Sequence, residues 1–461
     1  MLFSSALFLT YFLPLFLVAY YAVPIRFKNY VALACSLVFY TWGAPVFALV
    51  LVASGSIDFY LSRQIALHDR RALILGLALN VLTLFIFKYF NFFTDNARAI
   101  VEGVGFNYPH YADIALPLGI SFFTFQKISY LVDVYRKDAE PAQSLSQYLL
   151  FVFLFPQLIA GPIIRFKDID HQLSNRFDTD NWNRRLTGLQ LFCLGLAKKI
   201  LVADQLATIA DKAFAGGDIG SMTALIGLIA YTFQIYFDFA GYSDMAIGLG
   251  RMMGFEFPEN FRWPYVAKGF KEFWSRWHIT LSTWMRDYLY VPLGGNKFSA
   301  ALTMRNLWIV FLLSGLWHGA SWNFVIWGAW HGLLLTIGRH TKIFEKLPGG
   351  PSTGLTFILV MLGWVWFRAD DLTHALDYFE HLFRWDAHLD FFPKDRKWWM
   401  LIIAVSFSFV PRPMHDYLER FMRSDRKSLV IVKSIGALML LVLCLGQIAL
   451  ADSQPFIYFR F

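Results

Sequence analysis

Hydrophobic positions in this chain fall in long unbroken runs, over residues 2–23, 30–52, 72–90, 116–134, 148–164, 186–206, 222–249, 306–317, 322–337, 354–367, 398–410 and 429–450. Many approach the ~20 apolar residues that carry a helix across a bilayer. Strands of a membrane barrel would instead alternate apolar and polar side chains. The pattern predicts an all-α polytopic membrane protein of about ten to twelve helices. The polar intervals are too short for a separate soluble domain, so residues 1–461 read as a single membrane domain. No internal repeat of the transporter type is visible.

Breaks inside the runs refine this picture. Gly43-Ala44-Pro45 interrupts the second run as a kink or a short loop, and Pro156, Gly161 and Pro162 break the fifth. Residues 91–113 are more polar, and residues 165–185 read as a solvated loop of mixed charge. The first run lacks a basic start and a small-residue cleavage site, so it reads as a retained span, not a signal peptide. Arg26 and Lys28 after it favour an outside N-terminus. Arg63, Arg70 and Arg71 then fall on the wrong side if 30–52 crosses once, a conflict that a re-entrant second segment would remove.

Composition agrees with the membrane class: 57% of residues are hydrophobic, 18% aromatic, and the mean hydropathy is +0.46. The formal net charge of +8 fits basic cytoplasmic loops or an anionic ligand. Cys35, Cys193 and Cys444 are far apart in apolar runs and make neither a disulfide framework nor a metal pattern.

Candidate chemistry concentrates in residues 234–332. Between residues 251 and 305 stand eight basic side chains, Arg251, Arg262, Lys268, Lys271, Arg276, Arg286, Lys297 and Arg305, among tryptophans, tyrosines and phenylalanines. Such a segment is too polar to span and too aromatic for water, which suits an interfacial or re-entrant position. Aromatic and basic interleaving also occurs in single-strand nucleic-acid binders, but the membrane context argues against nucleic acid. If 270–290 is helical, Lys271, Ser275, His278 and Ser282 share one face. His278 is then either structural or a functional group among polar neighbours.

His318 ends an apolar run in Ser314-Gly315-Leu316-Trp317-His318-Gly319. It fits general-base work or a helix-ending hydrogen bond, and Gly315 and Gly319 allow a helix or ligand to approach. His331 repeats the local Trp-His-Gly pattern and could meet His318 across a hairpin. Asp238 and Asp244 lie in an apolar helix and must be paired or hydrated. Arginines of the central block are the expected partners, and Gly241 between the two is a point where that helix would loosen. The histidines lack HxxxH or HExxH spacing, so no metal site is expected. No GxSxG elbow is present.

YFDFAGYSDMAIGLG, PENFRWPY, FWSRWHITLSTWMRDYLYVPLGGN and SGLWHGASWNFVIWGAWHG resemble the membrane-bound O-acyltransferase family, in its alginate O-acetyltransferase-like branch. The opening MLFSSALFL and closing PFIYFRF resemble that branch too. The resemblance implies a ring of about eleven transmembrane helices with re-entrant pieces around a central tunnel. It implies catalytic roles for His318 and His278, with His331, Ser314, Trp317, Asp238 and Asp244 in support. It implies no bound cofactor, and acetyl-CoA as a cytosolic donor whose phosphates Lys271, Arg276 and Arg286 would hold. It places the chain in the bacterial inner membrane, beside a periplasmic SGNH-type acetyltransferase partner that passes acetyl to a polysaccharide such as alginate. Cellulose and peptidoglycan are alternative acceptors. A non-catalytic transporter of an exopolysaccharide machine is the alternative of a different class.

Overall fold

The computed structural model describes residues 1–109, 111–159, 161–176, 181–391, 395–450 and 455–457. The described residues form helices and turns, with no strand among them. Seven described helices are long and apolar enough to cross a membrane: Pro45–Ala66, Arg70–Gly103, Trp182–Ala213, Ser221–Met252, Ala300–His318, Gly349–Arg368 and Lys427–Leu450. Phe8–Ala22 and Lys397–Ser408 are apolar but shorter. The protein is therefore the helical, polytopic kind that its hydropathy predicts.

The chain packs as two compact units. One holds residues 7–180 with 254–256, and the other holds residues 2–6, 181–253 and 257–461. In the first unit the run at 30–52 is divided between two helices, Ile25–Thr41 and Pro45–Ala66. Proline suits the first helical position, where its missing N–H has no partner to lose. The Gly43-Ala44-Pro45 interruption is thus a short loop between two helices, not a kink within one. Residues 91–113 are not wholly irregular. The helix continues to Gly103, because Phe90, Phe93, Ala97 and Val101 recur at helical spacing. The loop expected at 165–185 contains the helix Phe166–Asn175, which buries Phe166, Ile169 and Leu173. Residues 177–180 of that stretch lie outside the described residues. Deep in this unit Lys127 pairs with Asp58 at 3.1 Å, both 2% exposed. Asn80 Nδ2 donates to the same carboxylate at 2.9 Å. The added donor matters, because a buried ion pair holds only when its remaining hydrogen bonds are met.

The second unit is built on Ser221–Met252, whose most apolar window is 83% buried. Trp182–Ala197 lies against it and continues through a π-helical turn, Lys198–Ala203, into Asp204–Ala213. A Cβ on Gly195 would stand 2.5 Å from the Gly241 carbonyl oxygen, and one on Gly241 would stand 2.7 Å from the Gly195 oxygen. Gly188 and Gly248 repeat the reciprocal contact at 2.7 and 2.6 Å. Four glycines thus let two antiparallel backbones touch, as small residues do between membrane helices. Gly241 does not loosen its helix, which runs unbroken to Met252.

The N-terminus of this long helix has no side-chain cap of its own. Asp386 accepts from the Ser221 N–H at 2.9 Å and Asp390 from the Gly220 N–H at 2.7 Å. The Ser221 N–H, together with the His388 N–H at 3.1 Å, holds the exposed Asp386 carboxyl low, at about 2. Both carboxylates come from the loop after Leu372–Phe383, a helix that hydropathy alone does not mark.

Candidate active site

The block between Ser221–Met252 and Ala300–His318 is not one helix. Phe270–Trp274 ends, Ile279–Met285 begins, and a π-helical turn follows at Arg286–Tyr290. His278 stands at the break with φ 44° and ψ 54°. A left-handed residue cannot continue a right-handed helix, so the common face expected for Lys271, Ser275, His278 and Ser282 does not exist.

Asn260 explains why a non-glycine residue takes that conformation. Its carbonyl accepts from Ile279 N at 3.0 Å, while Arg262 N donates to Arg276 O at 2.9 Å. The strip 260–262 therefore lies along 276–279. The Asn260 side chain is 1% exposed. Its Oδ1 accepts from Thr280 N at 3.3 Å and Thr280 Oγ1 at 2.9 Å, and lies 3.0 Å from His278 Nδ1. Its Nδ2 donates to Ser243 Oγ at 3.1 Å. A backbone N–H can only donate, which fixes Oδ1 as the inner atom. His278 Nδ1 must then carry the proton, and Nε2 is the lone-pair nitrogen.

His318 is the last residue of Ala300–His318 and is 4% exposed. Its ring meets Trp317 and Trp327, each at 4.8 Å, and Phe367 at 5.2 Å. Trp317 also meets His278 at 6.0 Å, and Trp327 meets His331 at 4.9 Å. The three histidines are therefore joined through two shared indoles. Across the hairpin of Ala300–His318 and Trp322–Thr341, His318 and His331 each touch Trp327, which links them. The hairpin closes tightly because Gly315 and Gly328 face each other, each Cα 3.3 Å from where the other's Cβ would be. Ser314, beside Gly315, is buried.

His331 is fully buried among Phe270, Phe273, Trp274 and Trp327. Neither of its nitrogens has a hydrogen-bond partner among the described residues.

The aspartates pair with lysines, not with arginines of the block. Asp238, 1% exposed, binds Lys199 at 2.8 Å, and Lys199 also binds Asp204 at 2.7 Å. Asp244 binds Lys198 at 2.5 Å. The glycine contact brings both lysines to the long helix, so the partners come from the neighbouring helix. Arg276 is taken up by Glu272, at 2.8 Å, and by the Arg262 carbonyl, at 3.1 Å. Arg286 forks onto Asp287 at 2.7 and 3.2 Å. Lys271 is exposed. The three cations named for the donor thus differ: two already hold carboxylates and one faces outward.

Sequence reasoning missed Asn260, Trp327, Lys198 and Lys199. Trp327 could have been found, since it precedes His331 by one helical turn. The two lysines lay in an apolar run and so called for partners. Asn260 stands in the PENFRWPY motif, but nothing local to it shows what it holds. Among the described residues no group of three His, Cys, Asp or Glu side chains is placed to hold a metal ion.

Comparison with known proteins adds a second line of evidence. Residues 118–344 match the profile of the membrane-bound O-acyltransferase family. The chain is 45% identical over 387 residues to a "probable alginate O-acetylase AlgI" of Azotobacter vinelandii, covering 81% of this chain and 76% of that protein. It is 38% identical over 418 residues to a peptidoglycan O-acetyltransferase of Helicobacter pylori, covering 82% and 78%. It is 27% identical over 270 residues to a teichoic acid D-alanyltransferase of Bacillus subtilis, covering 54% and 67%.

Proposed function

Since the chain belongs to the membrane-bound O-acyltransferase family, we propose that it moves an acetyl group from cytosolic acetyl-CoA to a hydroxyl acceptor, as one step in O-acetylating an extracytoplasmic polysaccharide such as alginate. The protein is an O-acyltransferase of a membrane family, which sets the transporter reading aside. The likeness to the alginate enzymes at 45% identity supports alginate over peptidoglycan, where identity is 38%.

The observation that carries the reading is the joined set His278, Trp317, His318, Trp327 and His331, buried in an aromatic surround. His318 takes the acceptor's hydroxyl proton while the oxygen attacks the thioester carbonyl. The new C–O bond forms, the C–S bond breaks, and the proton passes from imidazole to the departing sulfur. A two-step route, with acetyl resting on His318, uses the same atoms. His278 orients the thioester; with its Nδ1–H held by Asn260, its Nε2 steadies the oxyanion only in the doubly protonated form. Ser314 and Trp317 shape the pocket around His318, while Asp238 and Asp244 brace the long helix. Lys271, exposed, meets the donor's phosphates first; Arg276 and Arg286 join only by giving up Glu272 and Asp287.

The reading includes a place and a partner. The chain sits in the inner membrane as a multi-pass protein. It hands acetyl to a periplasmic SGNH-type acetyltransferase with a nucleophilic serine, a reading supported by the absence of a strand-borne GxSxG elbow among the described residues.

Acetyl-CoA cleavage by the purified protein in detergent tests the reading. His318→Ala should abolish turnover in a folded protein, and Lys271→Gln should raise KM for acetyl-CoA with little change in kcat. Full turnover by His318→Ala would remove His318 from the chemistry.

A further inference from the structure

Two motifs at opposite ends of the sequence, MLFSSALFL and PFIYFRF, have no part in the chemistry above. The structure brings Phe3 of the first motif and Phe456 and Ile457 of the second to the same patch of Ser221–Met252. The Phe3 ring stacks on Tyr242 at 4.6 Å and 16°. Tyr242 meets Phe456 at 4.7 Å. Phe456 meets Phe239 at 5.6 Å, and Phe239 presents its edge to His278 at 4.7 Å and 85°. The backbone is fastened too: Ile457 N donates to Asp238 Oδ2 at 2.8 Å, while Lys199 holds Asp238 Oδ1. Phe3, Asp238, Phe456 and Ile457 are all buried. Residues 458–461 of the second motif lie outside the described residues.

Asp238, Phe239 and Tyr242 fall within about one helical turn. The Asp238 carboxylate grips the closing motif, the Tyr242 ring is held between the two motifs, and the Phe239 ring touches His278. Interiors are close-packed, so a ring that loses its backing moves or leaves a void. Phe239 loses part of its backing if Phe456 goes, and Phe261, at 5.0 Å, remains on it.

We propose that Phe3, Phe456 and the Ile457 amide form a clasp that positions His278 for acyl transfer. They are positioning residues: none touches a reacting atom, and they act through Phe239. The proposal rests on the reading that His278 takes part in the transfer. It gives the two motifs, distant in sequence, one shared task.

Three variants of the full chain in detergent test it. Ile457→Pro removes the backbone N–H that donates to Asp238 Oδ2, Ile457→Ala keeps it, and Phe456→Leu keeps an apolar group without the ring. Each is assayed for acetyl-CoA turnover and for thermal midpoint. Each is also probed without substrate for diethyl pyrocarbonate labelling of His278, read by peptide mass. The expected result is a kcat loss of about tenfold to a hundredfold for Ile457→Pro and Phe456→Leu. KM for acetyl-CoA and the midpoint stay near wild type, His278 labels faster, and Ile457→Ala recovers most of the rate. Wild-type kcat and labelling in both Ile457→Pro and Phe456→Leu would overturn the clasp. So would losses that follow the thermal midpoint alone. Should Ile457→Pro fail to fold, Phe456→Leu decides by the same two measurements. If the wild type cleaves no thioester, the functional reading fails by itself. Labelling then still judges the clasp: faster labelling in the variants supports it, and unchanged labelling removes it.

Discussion

His278 and Asn260 work as a unit because one oxygen fixes both a backbone conformation and a tautomer. Asn260 Oδ1 meets Thr280 N, Thr280 Oγ1 and His278 Nδ1 together. Replacing it by leucine leaves buried donors unmet, at about 1–3 kcal/mol each, and frees the imidazole to turn. Asn260→Leu should lower kcat on the order of a hundredfold, the scale of a 1 Å misplacement. Asn260→Asp, which keeps an acceptor, should recover part of it. Wild-type kcat in Asn260→Leu would show that His278 needs no such hold. The histidines were legible in the sequence as polar groups in apolar surroundings. Asn260 was not, because what marks it is a contact with a residue 18 positions away. The ion-pair partners failed for a related reason: hydropathy shows that Asp238 needs a cation but not which helix supplies it.

At the scale of elements, the glycine contacts between Trp182–Ala197 and Ser221–Met252 yield a direct prediction. A methyl at Gly195 would press on backbone atoms, the Gly241 oxygen at 2.5 Å and Met245 N at 2.7 Å, which cannot turn aside. Gly195→Ala should therefore cost about 1–3 kcal/mol by overpacking and lower the thermal midpoint in detergent. Gly436→Ala, with open space around its Cβ, should not. Equal midpoints for the two variants would mean that the helices do not touch as described. The long apolar helices could be read from hydropathy, since a bilayer demands continuous runs. The helices Phe166–Asn175 and Leu372–Phe383 were harder to read, because each buries only one side and spreads its apolar residues thinly. The break at His278 was hidden as well, since a residue's type does not announce a positive φ.

On the scale of the whole molecule, the proposed reaction is divided between two compartments, with the donor in the cytosol and the polymer outside. Vesicles loaded with acetyl-CoA and bathed in polymer separate the steps. This chain alone should leave the polymer unmodified, and adding a periplasmic acetyltransferase should start acetylation. Efficient acetylation by the chain alone would remove the partner from the scheme. Passage of an acyl group also requires some part of the protein to yield, and the glycine seam limits where. Gly188 with Gly248 and Gly195 with Gly241 lock two helices at points about two turns apart. Neither helix can slide or roll without driving a carbonyl oxygen into a facing Cα. The pair is a stiff beam, so any yielding has to come from elsewhere than the seam.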